Sequence, residues 1–320
     1  MDIAQIAYSN QAKLGEGIFW DTDLRCLRYV DIDQHQVHTF NPKTGANAVL
    51  DFSQTVGCIA LDQQGDLIAA LKNTIVHIAC ATGQVDTVYT LDLPSFMRFN
   101  DGKCDCKGRL WVGTMAKDQS DPRAPHAGTL YRIDEKNGIV PMVTGLTISN
   151  GIAWNLDNTK MYHIDTAQQK IFCYDFDAES GEISNRSIAV TVSQADGSPD
   201  GMTIDIEGML WVALWGGSKV VRYNPHTGKK LDEVGVPAKL VTCCAFGGEN
   251  MDELFITTAM DSHGAGGEVY SCKTNTKGIP SNRYFNKKWR NQYGKTGCGD
   301  YRCNERDRQT DCPDDGKRGI

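Results

Sequence analysis

The sequence contains no apolar run approaching the roughly 18 residues that a membrane-crossing helix needs. Its first residues, Met1-Asp2-Ile3-Ala4-Gln5, offer neither a basic n-region nor an apolar h-region, so a signal peptide is not expected. Three motifs are missing: Gly-x-Ser-x-Gly, His-Glu-x-x-His and the Gly-rich loop ending in Gly-Lys-Ser/Thr. Serine-hydrolase, zinc-protease and nucleotide-binding readings lose support accordingly. There is no basic surplus either. Lys and Arg number 33 against 40 Asp and Glu, a formal net charge of −7, which is not a nucleic-acid footprint. Zinc-type cysteine spacing is also absent from the body of the chain. Cys26, Cys58, Cys80, Cys173 and Cys272 are scattered, and Cys104/Cys106 and Cys243/Cys244 are too closely paired. With no export signal, these thiols read as buried groups in a reducing, cytoplasmic compartment.

What is present is a globular balance of 40% hydrophobic and 23% charged residues, with 32 glycines for turns. A short pattern recurs, in which a turn is followed by a Leu or Met that opens an apolar run. The anchors are Leu27, Leu67, Leu110, Met161, Leu210 and Leu254, spaced by 40, 43, 51, 49 and 44 residues. Apolar residues follow β-type alternation or continuous β-branched and aromatic stretches, not a helical 3–4 spacing. After each anchor comes a second strand and a turn glycine: Gly45, Gly83, Gly138, Gly181, Gly228 and Gly278. Two motifs that both count to six predict an all-β, six-bladed β-propeller over residues 1–285. The segment 286–320 differs in kind, with nine Lys or Arg against six Asp or Glu, and Ile320 its only Leu, Ile or Val. It reads as a disordered or separately behaving extension. Its Cys298, Cys303 and Cys312 suggest a disulfide or zinc cluster, but three thiols specify neither.

Ten or eleven positions before the anchors stand Glu16, Gly57, Asn100, Asn150, Asp200 and Cys244. Equivalent positions in a propeller face one another across one mouth of the channel. One such Asn-Gly or Asp-Gly pair is a turn former; four oxygen-bearing residues in register point to a hard divalent cation in the channel. Without a cation, two carboxylates so close would repel, and one would be pushed to hold a proton. Arg98, two residues before Asn100, shares its face on an extended strand and can hold a carbonyl or carboxylate. Asp101 should point elsewhere. Trp111 and Trp211 read as packing between blades, and His163 as a core or channel histidine. Asp118 begins a polar loop that reads as solvated.

Several segments resemble the gluconolactonase, senescence-marker-protein (regucalcin) and luciferin-regenerating-enzyme family. They include Leu14-Gly15-Glu16-Gly17-Ile18-Phe19-Trp20-Asp21, Arg98-Phe99-Asn100-Asp101-Gly102-Lys103, Ile148-Ser149-Asn150-Gly151-Ile152 and Pro199-Asp200-Gly201-Met202. The resemblance spans residues 8–285 and implies a central metal-binding channel. It implies metal ligands at Glu16, Asn150 and Asp200, with Asn100 as ligand or substrate contact. Arg98, Asn100 and Asp118 would bind substrate, Asp118 standing where the family carries Glu. Asp200 would double as general base. The implied cation is calcium, with zinc, magnesium or manganese as alternatives. The expected activity is metal-dependent hydrolysis of a small lactone, a carboxylic ester, with no nucleic-acid or membrane partner. The alternatives are a non-enzymatic calcium-binding regulator and an esterase or luciferin-regenerating activity.

Overall fold

Strands form where the chain alternates or runs continuously apolar, and turns form where Gly, Asn and Asp gather. The computed structural model describes residues 2–285, and the expectations for the 286–320 extension lie outside the described residues. Among the described residues there are 25 strands and two short 3-10 turns, Thr166–Gln168 and Gln194–Asp196. The result is an all-β propeller fold.

Four sheets have four strands each, in the meander order that the anchor spacing anticipates. One of them runs Gly15–Asp21, Cys26–Asp31, Gln36–Phe40 and Asn47–Asp51. The expectation of six separate sheets is not met by hydrogen bonding, because the remaining strands form a single nine-stranded sheet. The physical cause is local. The Leu210–Trp215 and Leu240–Gly247 strands meet through one residue pair, Trp215 with Leu240.

The first strands of the meanders pack in sequence around an axis. Gly15–Asp21 touches Val56–Leu61, then follow Met97–Cys104, Ser149–Trp154, Ser198–Ile204 and Leu240–Gly247, which touches Gly15–Asp21 again. The chain start is stitched to the other end of the domain. Gln5–Tyr8 pairs antiparallel with Val269–Lys273, and Asp2–Ile3 runs parallel to Lys230–Gly235.

Apolar side chains fill the spaces between sheets. Trp111 meets Trp154 and Phe176 edge-on at 6.1 Å, and Trp211 meets Phe246 at 5.7 Å. Each indole also anchors a buried turn carboxylate: Trp111 Nε1 donates to Asp105 and Trp211 Nε1 to Asp205, both at 2.9 Å. The nine described cysteines are free thiols, and Cys26, Cys58, Cys104, Cys243 and Cys244 are buried. Cys106 departs from the expected burial; it is exposed, in the turn that links two strands.

Trp211→Phe keeps the ring in place but removes one donor from Asp205, whose carboxylate is fully buried. A loss of roughly 1–3 kcal/mol is expected in urea unfolding. An unchanged midpoint would mean that neither this hydrogen bond nor the indole's contact with Phe246 contributes.

Candidate functional site

Each inner strand is interrupted near its start. The pairing register shifts between Glu16 and Phe19, Val56 and Cys58, Phe99 and Gly102, Ser149 and Ile152, Pro199 and Met202, and Val241 and Cys243. A bulge releases residues from the ladder and re-aims their side chains. Asn100, Asn150 and Asp200 are the first released residues of their strands, and Glu16 is the last paired residue before its bulge. Close backbone approach explains two of the glycines. A Cβ on Gly57 would lie 2.6 Å from Phe99 O, and one on Gly151 would lie 2.6 Å from Asp200 O.

The last sheet corrects the sequence count. Leu254 pairs with Phe246, eight positions back, whereas Leu110 pairs with Cys104 and Leu210 with Ile204, six back. The turn is two residues longer, so the residue at the bulge is Thr242, not Cys244. Cys244 sits in the apolar core with its Sγ 3.4 Å from Trp211 O. Thr242 Oγ1 instead donates to Gly15 O at 2.5 Å, fastening this strand to the one that carries Glu16.

Three predicted residues form one network that reaches the backbone beside a fourth. Arg98 Nη1 donates to Asn100 Oδ1 at 2.6 Å and to Phe99 O at 3.0 Å. Asn100 Nδ2 donates to Ser149 O at 2.9 Å and to Asn150 Oδ1 at 3.3 Å. Asn150 Nδ2 donates to Thr166 Oγ1, which in turn donates to Pro199 O at 2.8 Å, next to Asp200. Thr166 follows the Lys160–Asp165 strand, and nothing in its sequence context marks it.

Glu16, Arg98, Asn100, Asn150 and Asp200 are all buried. Burial pushes the Glu16 carboxyl well above its usual range, and the charges of Asp200 and Asp101 push it further. Asp200 is raised by burial and then by Asp101. Burial also lowers the Arg98 guanidinium, while Asp33, Glu16 and Asp200 act to hold its proton. Asp101 was expected to point elsewhere, yet its charge acts on both Glu16 and Asp200. The two-residue bulge at 100–101 suspends the alternation on which that expectation rested. Asp33, in a turn beyond the Cys26–Asp31 strand, leaves no comparable trace.

The remaining candidates sit differently. Asp118 is exposed, and its carboxylate accepts from Ser120 N and Oγ; it makes no hydrogen bond to the Arg98–Asn100–Asn150 network. His163 is fully buried, with Nε2 2.8 Å from Ser149 Oγ, and burial pushes it down to about 3, so it is a neutral core histidine.

The donor chemistry fits a hard cation. Asp200 Oδ1 is buried and accepts no hydrogen bond, while Glu16 accepts only a long 3.3 Å bond from Gly17 N. Buried carboxylates with amide oxygens beside them and so few donors lack compensation that a divalent cation would supply.

A family model described as "SMP-30/Gluconolactonase/LRE-like region" matches residues 14–260. The chain is 38% identical to "Putative sugar lactone lactonase YvrE" of Bacillus subtilis, over 81% of this chain and 87% of that protein. It is 34% identical to regucalcin of Xenopus laevis, over 79% of this chain and 85% of the relative. Among solved structures it is similar to a calcium-binding protein, regucalcin, from Agrobacterium tumefaciens. That TM-score is 0.83 at 25% identity, covering 89% of this chain and 98% of the other.

The raised carboxyls set a pH dependence. Folded, metal-free protein keeps protons that the unfolded chain releases at about pH 4. Stability therefore falls as pH rises from there through the raised values of Glu16 and Asp200. Tm of chelator-treated protein should drop across that window, and Asp200→Asn should flatten the drop. Parallel curves for the two proteins would show that the axial carboxyls are not its source.

Proposed function

The chain belongs to the SMP-30/gluconolactonase/LRE-like family, and we propose that it is a divalent-metal-dependent lactonase opening a small, sugar-type lactone. The observation that carries this reading is the buried Asp200 carboxylate, whose Oδ1 accepts no hydrogen bond, close to Glu16 and to the Arg98–Asn100–Asn150 network. Cutting the nine-stranded sheet at the single Trp215–Leu240 pair leaves a four-stranded part and a five-stranded part whose extra edge strand is Asp2–Ile3, which makes six blades in all, a count that the anchor spacing supports. The propeller domain then occupies residues 1–285. Free thiols among the described residues support a reducing, cytoplasmic setting. No described helix is long and apolar enough to cross a membrane.

Glu16, Asn150 and Asp200 would hold the cation, with Asn100 at its edge, and calcium suits an all-oxygen donor set. Bound there, the cation supplies charge that polarises a lactone carbonyl and lowers the pKa of a water. Asp200 would accept the proton of the attacking water. Arg98 and Asn100 hold the lactone's oxygens and fix its orientation. Asp118 keeps its Oδ1 on Ser120, which leaves Oδ2 as the oxygen that would meet a substrate.

A second reading is a calcium-binding regulator without turnover, favoured by the relatives named regucalcin. A panel of small lactones, assayed with and without chelator and with calcium restored, separates the two. Turnover should vanish on chelation and return with calcium. Asp200→Asn should lower kcat by about 10²–10⁴-fold, and Arg98→Met should weaken KM more than kcat. Full activity of Asp200→Asn sinks the mechanism. Tight calcium binding with no turnover on any lactone favours the regulator.

A further inference from the structure

A carboxylate recurs at the turn that closes each of several first strands, and in one sheet only it lacks an arginine partner. Asp105 is held by Arg109 Nε at 2.6 Å and by Trp111 Nε1 at 2.9 Å. Asp205 is held by Arg222 Nε at 2.8 Å and by Trp211 Nε1 at 2.9 Å. Asp21 is held by Arg28 Nε at 2.9 Å. The pairing registers locate the equivalent positions in the sheet of residues 56–90. Trp111 pairs with Arg132, Trp211 with Arg222, and Ile68 with His77. The buried Asp62 therefore faces an isoleucine in place of the indole and a histidine in place of the arginine. The position of Arg109 is taken by a second carboxylate, Asp66.

We propose that Asp62, Asp66 and His77 form a metal site for a transition-metal ion of the zinc type. It lies at the opposite end of the Val56–Leu61 strand from the channel ring. His77 Nε2 is 3.4 Å from Asp62 Oδ2 and 3.4 Å from Asp66 Oδ2. That is longer than the 2.7–3.2 Å of an N–H···O bond. It is the edge, about 3.3–3.6 Å, of a tetrahedron whose centre lies roughly 2.0–2.2 Å from each corner.

The supporting contacts orient both carboxylates. Asp62 Oδ1 accepts from Gln64 N at 2.8 Å and from Asp66 N at 2.9 Å. Asp66 Oδ1 accepts from Cys80 N at 2.8 Å. One oxygen of each group is thus pinned by backbone, and the other is presented to the histidine, as outer contacts commonly do for metal ligands. Asp62 Oδ2 is buried and accepts no hydrogen bond. The neighbouring Arg28 places Nε on Asp21 and Nη1 on Thr39 and also acts on Cys80. Asp62 and His77 are buried, whereas the Asp66 side chain is 22% exposed, which leaves an approach for a water as fourth ligand. One imidazole with two carboxylates suits zinc better than calcium, which prefers an all-oxygen shell.

The test uses the full chain, stripped of metal and then kept in excess calcium so that the channel ring is served. Zinc uptake is counted by equilibrium dialysis for wild type, Asp62→Asn and His77→Arg. His77→Arg copies the Trp211–Arg222 arrangement and gives both carboxylates a fixed cation, so it should fold. Wild type should take up one zinc equivalent more than either variant, and zinc should raise the Tm of wild type only. All three should bind the same amount of calcium, which separates this site from the proposed channel site. The cysteines are common to all three proteins, so the difference isolates the His77 cluster. Equal zinc uptake by the three proteins overturns the proposal and leaves His77 as an ion-pair partner. So does loss of that equivalent in Glu16→Gln in place of His77→Arg.

Discussion

Glu16, Asp101 and Asp200 are withdrawn from water, with Asp101 close enough to raise the proton affinity of both others and Asp200 that of Glu16, and the architecture of the ring answers to that repulsion. Like charges in a low-dielectric interior are costly unless something fixed compensates them. Arg98 acts on Glu16 and Asp200 and Lys103 on Asp101, yet the hydrogen bonds of Arg98 go to neutral oxygens, Phe99 O and Asn100 Oδ1. The ring therefore holds its carboxylates by backbone geometry. The bulges aim them, Thr242 ties the last inner strand to the first, and Thr166 fixes the amide of Asn150. The cation proposed above would offset that repulsion, and residues fixed in this way would need little rearrangement to receive it.

Much of this was legible in the chain because repetition makes equivalent positions comparable. The anchors Leu27 to Leu254 located the second strands, and counting back from them located Glu16, Asn100, Asn150 and Asp200. The count failed where one turn is longer, so Cys244 stood in for Thr242. It also missed Asp101, because simple alternation puts adjacent strand residues on opposite faces, whereas a two-residue bulge suspends that rule. Asp33 and Thr166 act from beyond strand ends, where no periodicity reports on side chains. The merging of two meanders through Trp215 and Leu240 depends on one backbone pair, which no residue type announces.

The same repetition exposes divergence. Buried turn carboxylates in three sheets carry arginine, with tryptophan added in two, and these partners suit a structural role: they join the two ends of a strand hairpin under the core. In the sheet of residues 56–90 the cationic and indole partners are gone and a second acid has arrived. A repeat relieved of its structural pairing is free to take on another. Divergence of this kind can be read only against its siblings, since Asp62, Asp66 and His77 are far from any familiar spacing when taken alone.

The stitch made by Gln5–Tyr8 and Val269–Lys273 bears on how the molecule comes into being. Residues made early in synthesis must wait for the last sheet before their strand has a partner. Until then Glu16 and Asp200 are carried on sheets that no continuous ring yet unites. Long-range pairing of this sort is slow and leaves edges open meanwhile. Assembly of the channel is therefore a late event on the ribosome, and an interrupted chain would carry most of its sheets while lacking a finished cage. Ion capture by the nascent polypeptide would then mark completion of the circle, in the way a latch reports that a door has shut.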